Sequence, residues 1–548
     1  MMVKPSTILE DDGARLKRRV IRRRTIPLNV SPALAVVAVA ATLSIASFVF
    51  FFANGMTNVY GDGVAHVNIA RKVVDSPDDS LWQRYMQIGS PWLPVQTVLM
   101  LPLVTNEWMW RTGAAGSVIS MLSFVIAALS LYQLAKGLYR NEGGSLEEAL
   151  PLLSVAIFAT NPSVLYLQST PMTELVFMAA LVTAVYWLQR WIEEQSPKRL
   201  AAAALATAVA TLARYEAWPV AALSILIVAV ASSGDRIARI KQLTIYSALV
   251  AIGPMYWLWH NWAIYGDAFE FLTGPNSARG IYLQNRASLG WSKIFVGNAA
   301  LDTLTIATAT AVCVGPFVLF IGAAGFVRWL VGERKTLINS SPALLLLVPF
   351  FFHVLSLYRG EIQVFPLSAF GLHNVRYGLP HMFGVALWAP AAVLFFKPPA
   401  RRWAVAAAFA VVFLQYGYLA SEGPSQLAVY QEGYRNGVNA RPARDRAKVS
   451  EYLRSNPPSR LVLMNTGALG PLVSQGGLRF SNLIHEGSAR WHQLNNGIPG
   501  DVSMVIVQEG DPLDLRLNRE PALARDLARE FQEELSVGGI KLFERTAN

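Results

Sequence analysis

The chain has 548 residues, of which 53% are hydrophobic and only 15% charged. That is too little charge to cover a water-soluble surface of such length, so composition indicates a polytopic membrane protein. The net charge of +11 does not mark a nucleic-acid-binding protein, because the basic residues fall in short clusters between apolar runs, as the cytoplasmic flanks of membrane helices do. Cys313 is the single cysteine, which excludes an intrachain disulfide framework and a cysteine metal site.

Residues 1–32 read as a basic cytoplasmic tail, with Arg15, Lys17, Arg18, Arg19, Arg22, Arg23 and Arg24 before the first apolar run. That run, 33–53, is long enough to cross ~30 Å of hydrocarbon. A cleaved signal peptide has an apolar core of only ~7–15 residues, so a retained first helix is expected. Further runs near 112–138, 149–167, 173–191, 199–213, 216–232, 243–264, 303–330, 341–358, 377–397 and 402–421 bring the expectation to about eleven transmembrane helices. With the N-terminus inside, the loops returning to the cytoplasm carry Lys136 and Arg140, Arg190 and Lys198, Arg236 and Arg239, Arg328 and Arg334, and Arg401 and Arg402. This is the distribution that the positive-inside rule requires. An odd helix count then places the C-terminus outside. Residues 33–421 are read as the membrane domain with its outer loops, and 422–548 as a small soluble extracytoplasmic α/β domain. In the latter, "RLVLMNT", "VSMVIVQ" and "GIKLFER" read as strands, and "ARDRAKVSEYLRS" and "EPALARDLAREFQEEL" as amphipathic helices.

The outer loops are the longer ones, so function is expected there. In "YGDGVAHVNIARKV", Asp62 and His66 are four apart and share a face if the segment is helical. Such a carboxylate can serve as a general base or a metal ligand, or simply cap a helix. Glu174 in "PMTELVF" opens a helix, either as a capping acid or as a second acid reaching the same outer cavity. "ARYEAWP" holds Arg214 and Glu216 between two apolar runs, either closing a tight turn as an ion pair or meeting an anionic group. In "HNWAIYGDAFEF", Trp257, Trp259 and Trp262 read as an interfacial aromatic belt and Asp267 as a turn residue beside His260, Asn261 and Glu270. "FGLHNVRYGLPH" puts His373 and Arg376 at an outer helix end, where arginine can pair with phosphate oxygens or snorkel. "LIHEGSARWHQL", with His485, Glu486, Trp491 and His492, suits sugar contacts or an ordinary domain core. Walker, HExxH and GxSxG patterns are missing.

The layout of one helix, a long outer loop opening with an acid, many further helices and a terminal soluble domain resembles the GT-C superfamily of membrane glycosyltransferases. Protein O-mannosyltransferases and bacterial lipid A aminoarabinose transferases are the branches it is most similar to. The likeness rests on "YGDGVAHVNIARKV", "NPSVLYLQSTPMTE", "ARYEAW", "NWAIYGDAFEFLTGP" and "NVRYGLP", and spans about residues 30–420 in layout. Many members carry Asp-Glu in the first loop, whereas this chain has Asp62-Gly63. The resemblance implies transfer of a sugar, with inversion, from a polyprenyl-phosphate donor to a hydroxyl on a lipid, glycan or protein acceptor at the outer face of the plasma (inner) membrane. It implies Asp62 as catalytic base. His66, Glu174, Arg214, Glu216, His373 and Arg376 are candidate substrate-binding residues around it. No cofactor is required on this reading; Asp62, His66 and Glu174 offer oxygen and nitrogen ligands for Mg²⁺ or Mn²⁺ should a metal be used. The rival readings are a secondary transporter, against which the chain shows no repeated half-sequence, and a non-enzymatic assembly or sensor protein.

Overall fold

The computed structural model describes residues 31–76, 80–286, 290–332, 337–366, 372–421 and 428–546. All of the expected basic tail except Ser31 and Pro32 lies outside them. The first helix, Pro32–Ala53, starts where Ser31 Oγ accepts from Leu34 N at 3.3 Å and Pro32 fills a first-turn position that needs no donor. Five more described helices are long and apolar enough to cross a membrane: Ala114–Tyr139, Glu174–Glu194, Ser341–Tyr358, Val375–Phe395 and Pro398–Ser421. The chain is an integral multi-pass membrane protein.

The count of eleven spans is not reproduced: six described helices qualify, or seven if a bent pair is one span. Local chemistry explains the difference. The run at 149–167 is split where Asn161 Oδ1 accepts from Val164 N and Pro162 starts a new helix. The helices Pro197–Thr211 and Ala217–Ala231 have 15 residues each, roughly 22 Å at 1.5 Å per residue, shorter than the hydrocarbon. Helix Arg236–Tyr265 is long enough at 30 residues but polar at both ends. The run at 303–330 breaks at Gly315 into Ala299–Val314 and Pro316–Gly332, bent by 111°. Gly315 has φ +95°, and Gln415 repairs the break. Its Oε1 accepts from Phe317 N at 2.9 Å and Val318 N at 3.4 Å, while its Nε2 donates to Val314 O at 3.3 Å. A broken ladder inside an apolar bundle must have its orphan groups satisfied in this way.

The C-terminal sheet has five strands: β1 Leu461–Met464, β2 Leu483–Ile484, β3 Val502–Gln508, β4 Phe531–Val537 and β5 Ile540–Arg545. Their order is β2-β1-β3-β5-β4. β1 pairs in parallel with β2 and β3, and β5 lies antiparallel between β3 and β4. Three strands fall where the sequence places them. β4 corrects the expectation of one helix through "EPALARDLAREFQEEL": the helix stops at Glu530 and "FQEELSV" becomes an edge strand. Its polar residues face water on that edge, a pattern that helical periodicity does not distinguish.

Helix Gly61–Val74, not itself a span, is clasped from two sides. Val67 and Ala70 share one apolar core with Trp110 and with Leu469, Leu472 and Phe480 of the sheet domain. Asn68 Nδ2 donates to Gly470 O at 2.9 Å and Lys72 Nζ to Thr466 Oγ1 at 2.7 Å. On its other side a Cβ at Gly63 would lie 3.0 Å from Pro171 Cγ and 3.2 Å from Met172 Sδ. A larger residue than Gly63 would therefore need Pro171 and Met172 to give way by a few tenths of an ångström. The sheet domain and the loop bearing Asp62 therefore lie at the same end of the bundle.

Candidate active site

Six of the seven sequence-derived site residues, Asp62, His66, Glu174, Arg214, Glu216 and Arg376, line one cavity of about 510 Å³. Asp62 sits in the first turn of helix Gly61–Val74, yet it is not a cap: the N-cap is Tyr60, with no side-chain cap bond. Its Oδ2 instead accepts from Arg376 Nη2 at 2.5 Å. The Asp62 side chain is 49% exposed, against 5% for Arg376, so Asp62 is the carboxylate that a molecule in the cavity meets.

Arg376 is the hub. Val375–Gly378 forms a 3-10 turn after Asn374, whose left-handed φ of +52° turns the chain. Its Nε donates to Glu174 Oε1 at 3.0 Å and its Nη1 to Asn374 Oδ1 at 2.7 Å and Glu432 Oε1 at 3.5 Å. The guanidinium also lies 5.3 Å from the Tyr60 ring and 5.5 Å from the Tyr377 ring. Glu174, wholly buried as the first residue of its helix, takes a second arginine on the same oxygen, Arg214 Nη1 at 3.1 Å. Arg214 Nε in turn donates to Glu216 Oε1 at 2.7 Å. The Nη2 group of Arg214 donates to none of the described residues. Four carboxylates, Asp62, Glu174, Glu216 and Glu432, thus surround two guanidinium groups.

The chemistry follows from that division. Arg376 spends its donors on protein acceptors and so fixes carboxylates, whereas Arg214 keeps an amino group for a visiting anion. The ring of His66 packs on Trp92, with centroids 4.5 Å apart. Burial lowers the His66 pKa from 6.5 to about 4, against the pull of Asp62 and Glu174, so the ring is neutral near pH 7. Burial also raises the carboxyl of Glu432 against the opposing effect of Arg376. Glu432 holds the turn by accepting from Asn374 N at 2.8 Å and Val375 N at 2.9 Å.

The His66 shift has a consequence for stability. The unfolded chain protonates this group near 6.5 and the native chain only near 4, so native stability is present above about pH 6.5 and is lost as the pH falls toward 4. At 1.36 kcal/mol per pH unit the loss approaches ~3 kcal/mol. Thermal melts of the wild type and His66→Gln from pH 7 to 4 are expected to show a shallower decline in the variant. Parallel declines would refute this origin.

His373 is the exception. It is exposed, bridges Phe365 through its backbone and stacks on that ring with centroids 5.6 Å apart. It does not line the cavity, and Asn374 takes the polar role beside Arg376. Asp62, His66 and Glu174, the ligands offered should a metal be used, all line the cavity, and among the described residues no group of three His, Cys, Asp or Glu is placed to hold an ion. Asp62 Oδ2 and Glu174 Oε1 pair with Arg376.

Of the remaining candidates, Trp259 and Trp262 are exposed as an aromatic belt requires, but Trp257 is buried against His260 and donates to Tyr215 Oη at 2.9 Å. Asp267 caps its own turn, accepting from Phe269 N at 2.8 Å. His260 is structural, bonded to Tyr85 Oη at 2.6 Å and Gly89 O at 2.9 Å. In the sheet domain Trp491 belongs to the core, and Glu486 faces Lys72 and Thr466 at the docking surface rather than the cavity.

Residues 104–259 match the family model described as dolichyl-phosphate-mannose-protein mannosyltransferase. ArnT from Cupriavidus metallidurans bound to undecaprenyl phosphate superposes with a TM-score of 0.52 at 11% identity, covering 94% of this chain and 98% of that one. The chain has the GT-C fold. The Archaeoglobus fulgidus oligosaccharyltransferase in the apo form aligns with a TM-score of 0.47 at 12% identity, covering 86% of this chain and 69% of the other. No curated protein matches the sequence. Glu174, Arg214 and Glu216 lie inside the family-model match, while Asp62 and Arg376 reach the same cavity from outside it.

Proposed function

We propose that the protein is a membrane glycosyltransferase that moves a sugar from a polyprenyl-phosphate donor to a hydroxyl of a lipid, glycan or protein acceptor. The observation that supports this most is one cavity whose lining combines Asp62 and Arg214, the latter with an unspent amino group, with the apolar side chains of Phe269, Phe271, Ile281 and Phe352. A phosphate suits the charged groups and an isoprenoid tail the apolar ones. The fold shared with ArnT, captured with undecaprenyl phosphate, points the same way.

In this reading Asp62 accepts the proton of the acceptor hydroxyl as its oxygen attacks the anomeric carbon. The bond from that carbon to the phosphate oxygen breaks, and its electron pair leaves with the lipid phosphate. Arg214 meets the charge that develops there, while Arg376 holds Asp62 in place. One displacement inverts the anomeric centre. His66 and Trp92 flank the sugar. Residues 33–421 form the catalytic membrane domain and 422–548 the extracytoplasmic domain, with Glu432 reaching back into the site. The N-terminus is cytoplasmic, as the basic loops require.

Undecaprenyl phosphate titrated into the purified protein in detergent micelles tests the cavity. Trp92 and Trp218 line it, so a saturable fluorescence change is expected. Arg214→Ala should weaken binding by about 10-fold or more, the size of a charge-assisted hydrogen bond. No saturable change in the wild type, or equal affinity in the variant, would count against the assignment.

A further inference from the structure

A buried polar chain enters the cavity wall from behind. Thr310 Oγ1 lies 2.7 Å from His381 Nδ1, His381 Nε2 lies 3.0 Å from His353 Nδ1, and His353 Nε2 lies 3.0 Å from Glu216 Oε1. Thr310, His381 and His353 are 4%, 6% and 1% exposed. None of them contacts Asp62 or Arg376 directly, so the proposed displacement does not use them. Two imidazoles withdrawn from water are costly unless each ring nitrogen is bonded.

An ionised Glu216 can only accept, so His353 donates to it through Nε2. The Thr310 hydroxyl donates to Ile306 O at 2.8 Å on its own helix, and its oxygen is the partner of His381 Nδ1. The three residues stand on three separate helices, Ala299–Val314, Ser341–Tyr358 and Val375–Phe395. Glu216 stands on the short turn between Pro197–Thr211 and Ala217–Ala231, two residues from Arg214. Arg214 is tied to Glu174 Oε1 at 3.1 Å and Thr173 Oγ1 at 3.3 Å. Its partner Glu216 is tied through the polar chain to three packed helices.

We infer that His353 and His381 are positioning residues that hold Glu216, and through it Arg214, in the cavity wall for a phosphate. This rests on the proposed lipid-phosphate reading: both arginines are held by carboxylates, and of the carboxylates on Arg214 it is Glu216 that the histidines hold in turn. It also explains why two histidines are buried where apolar side chains would pack at lower cost.

A double-mutant cycle on undecaprenyl phosphate binding in micelles tests it. His353→Leu is expected to weaken binding by about 10-fold, a coupling typical of residues in one network. Arg214→Ala combined with His353→Leu should bind no more weakly than Arg214→Ala alone. His353→Gln, which keeps a donor toward Glu216, should stay within about 2-fold of wild type. If His353→Leu does not fold, His381→Leu carries the same cycle. Losses that multiply in the double variant, or a His353→Gln as weak as His353→Leu, would overturn the positioning role while leaving the lipid-phosphate reading intact. A wild type that does not bind the lipid would overturn both.

Discussion

Replacing Arg376 by alanine is expected to be the most damaging single change in the site. The side chain is buried and contacts Asp62, Glu174, Asn374 and Glu432. Its removal strands Glu174 and Glu432, both 3% exposed or less, without this cation. Breaking a buried pair in that way costs roughly 3–5 kcal/mol. Turnover should fall at least ~10³-fold, because Asp62 loses its anchor along with the preorganised field. Arg376→Lys should rescue little, since one ammonium cannot match a planar fork that meets four acceptors. Thermal melts and transfer rates read both effects. A variant that melts with the wild type would show that the hub is not what holds this end of the bundle.

Asp62→Asn is expected to separate chemistry from folding. The side chain is half exposed and makes one ion pair, so the substitution should change stability by about 1 kcal/mol or less. The amide keeps the size of the carboxylate and removes its basicity. Loss of a general base costs typically 10²–10⁴-fold in turnover, and that range is the expected fall in kcat. Undecaprenyl phosphate affinity should stay within several-fold of wild type, because Arg214 is untouched. Turnover retained in the variant would keep the cavity and remove Asp62 from the proton transfer.

Much of this site is legible in the sequence because charges at the ends of apolar runs are costly and few. Asp62, Glu174, Arg214, Glu216 and Arg376 stand out on that ground, and the structure gathers them around one cavity. What the sequence cannot display is convergence. Glu432 lies in a segment with soluble character and gives no local signal, yet it closes the Arg376 hub. His353 and His381 read as polar interruptions in apolar runs, and only tertiary packing brings their rings together. His373 lies outside the cavity lining: its neighbour Asn374 takes a left-handed turn, and His373 stays on the exposed side while Arg376 goes inward.

The fold divides in the same way. Long uniform helices such as Ala114–Tyr139 and Glu174–Glu194 coincide with hydropathy runs. The runs that break do so at Asn161-Pro162 and Gly315, where a cap or a side chain from another helix supplies the missing bonds. A hydropathy window averages over such breaks and counts each run as a span.

The decisive measurement is sugar transfer by the purified protein in liposomes, offered a panel of radiolabelled polyprenyl-phosphate sugars together with candidate acceptors. A glycosyltransferase centred on this cavity should move label from donor to acceptor, release polyprenyl phosphate in equal amount, and stop when Asp62 is replaced by asparagine. Intact donor throughout, with labelled solute accumulating across the liposome membrane, would contradict it and identify a transporter.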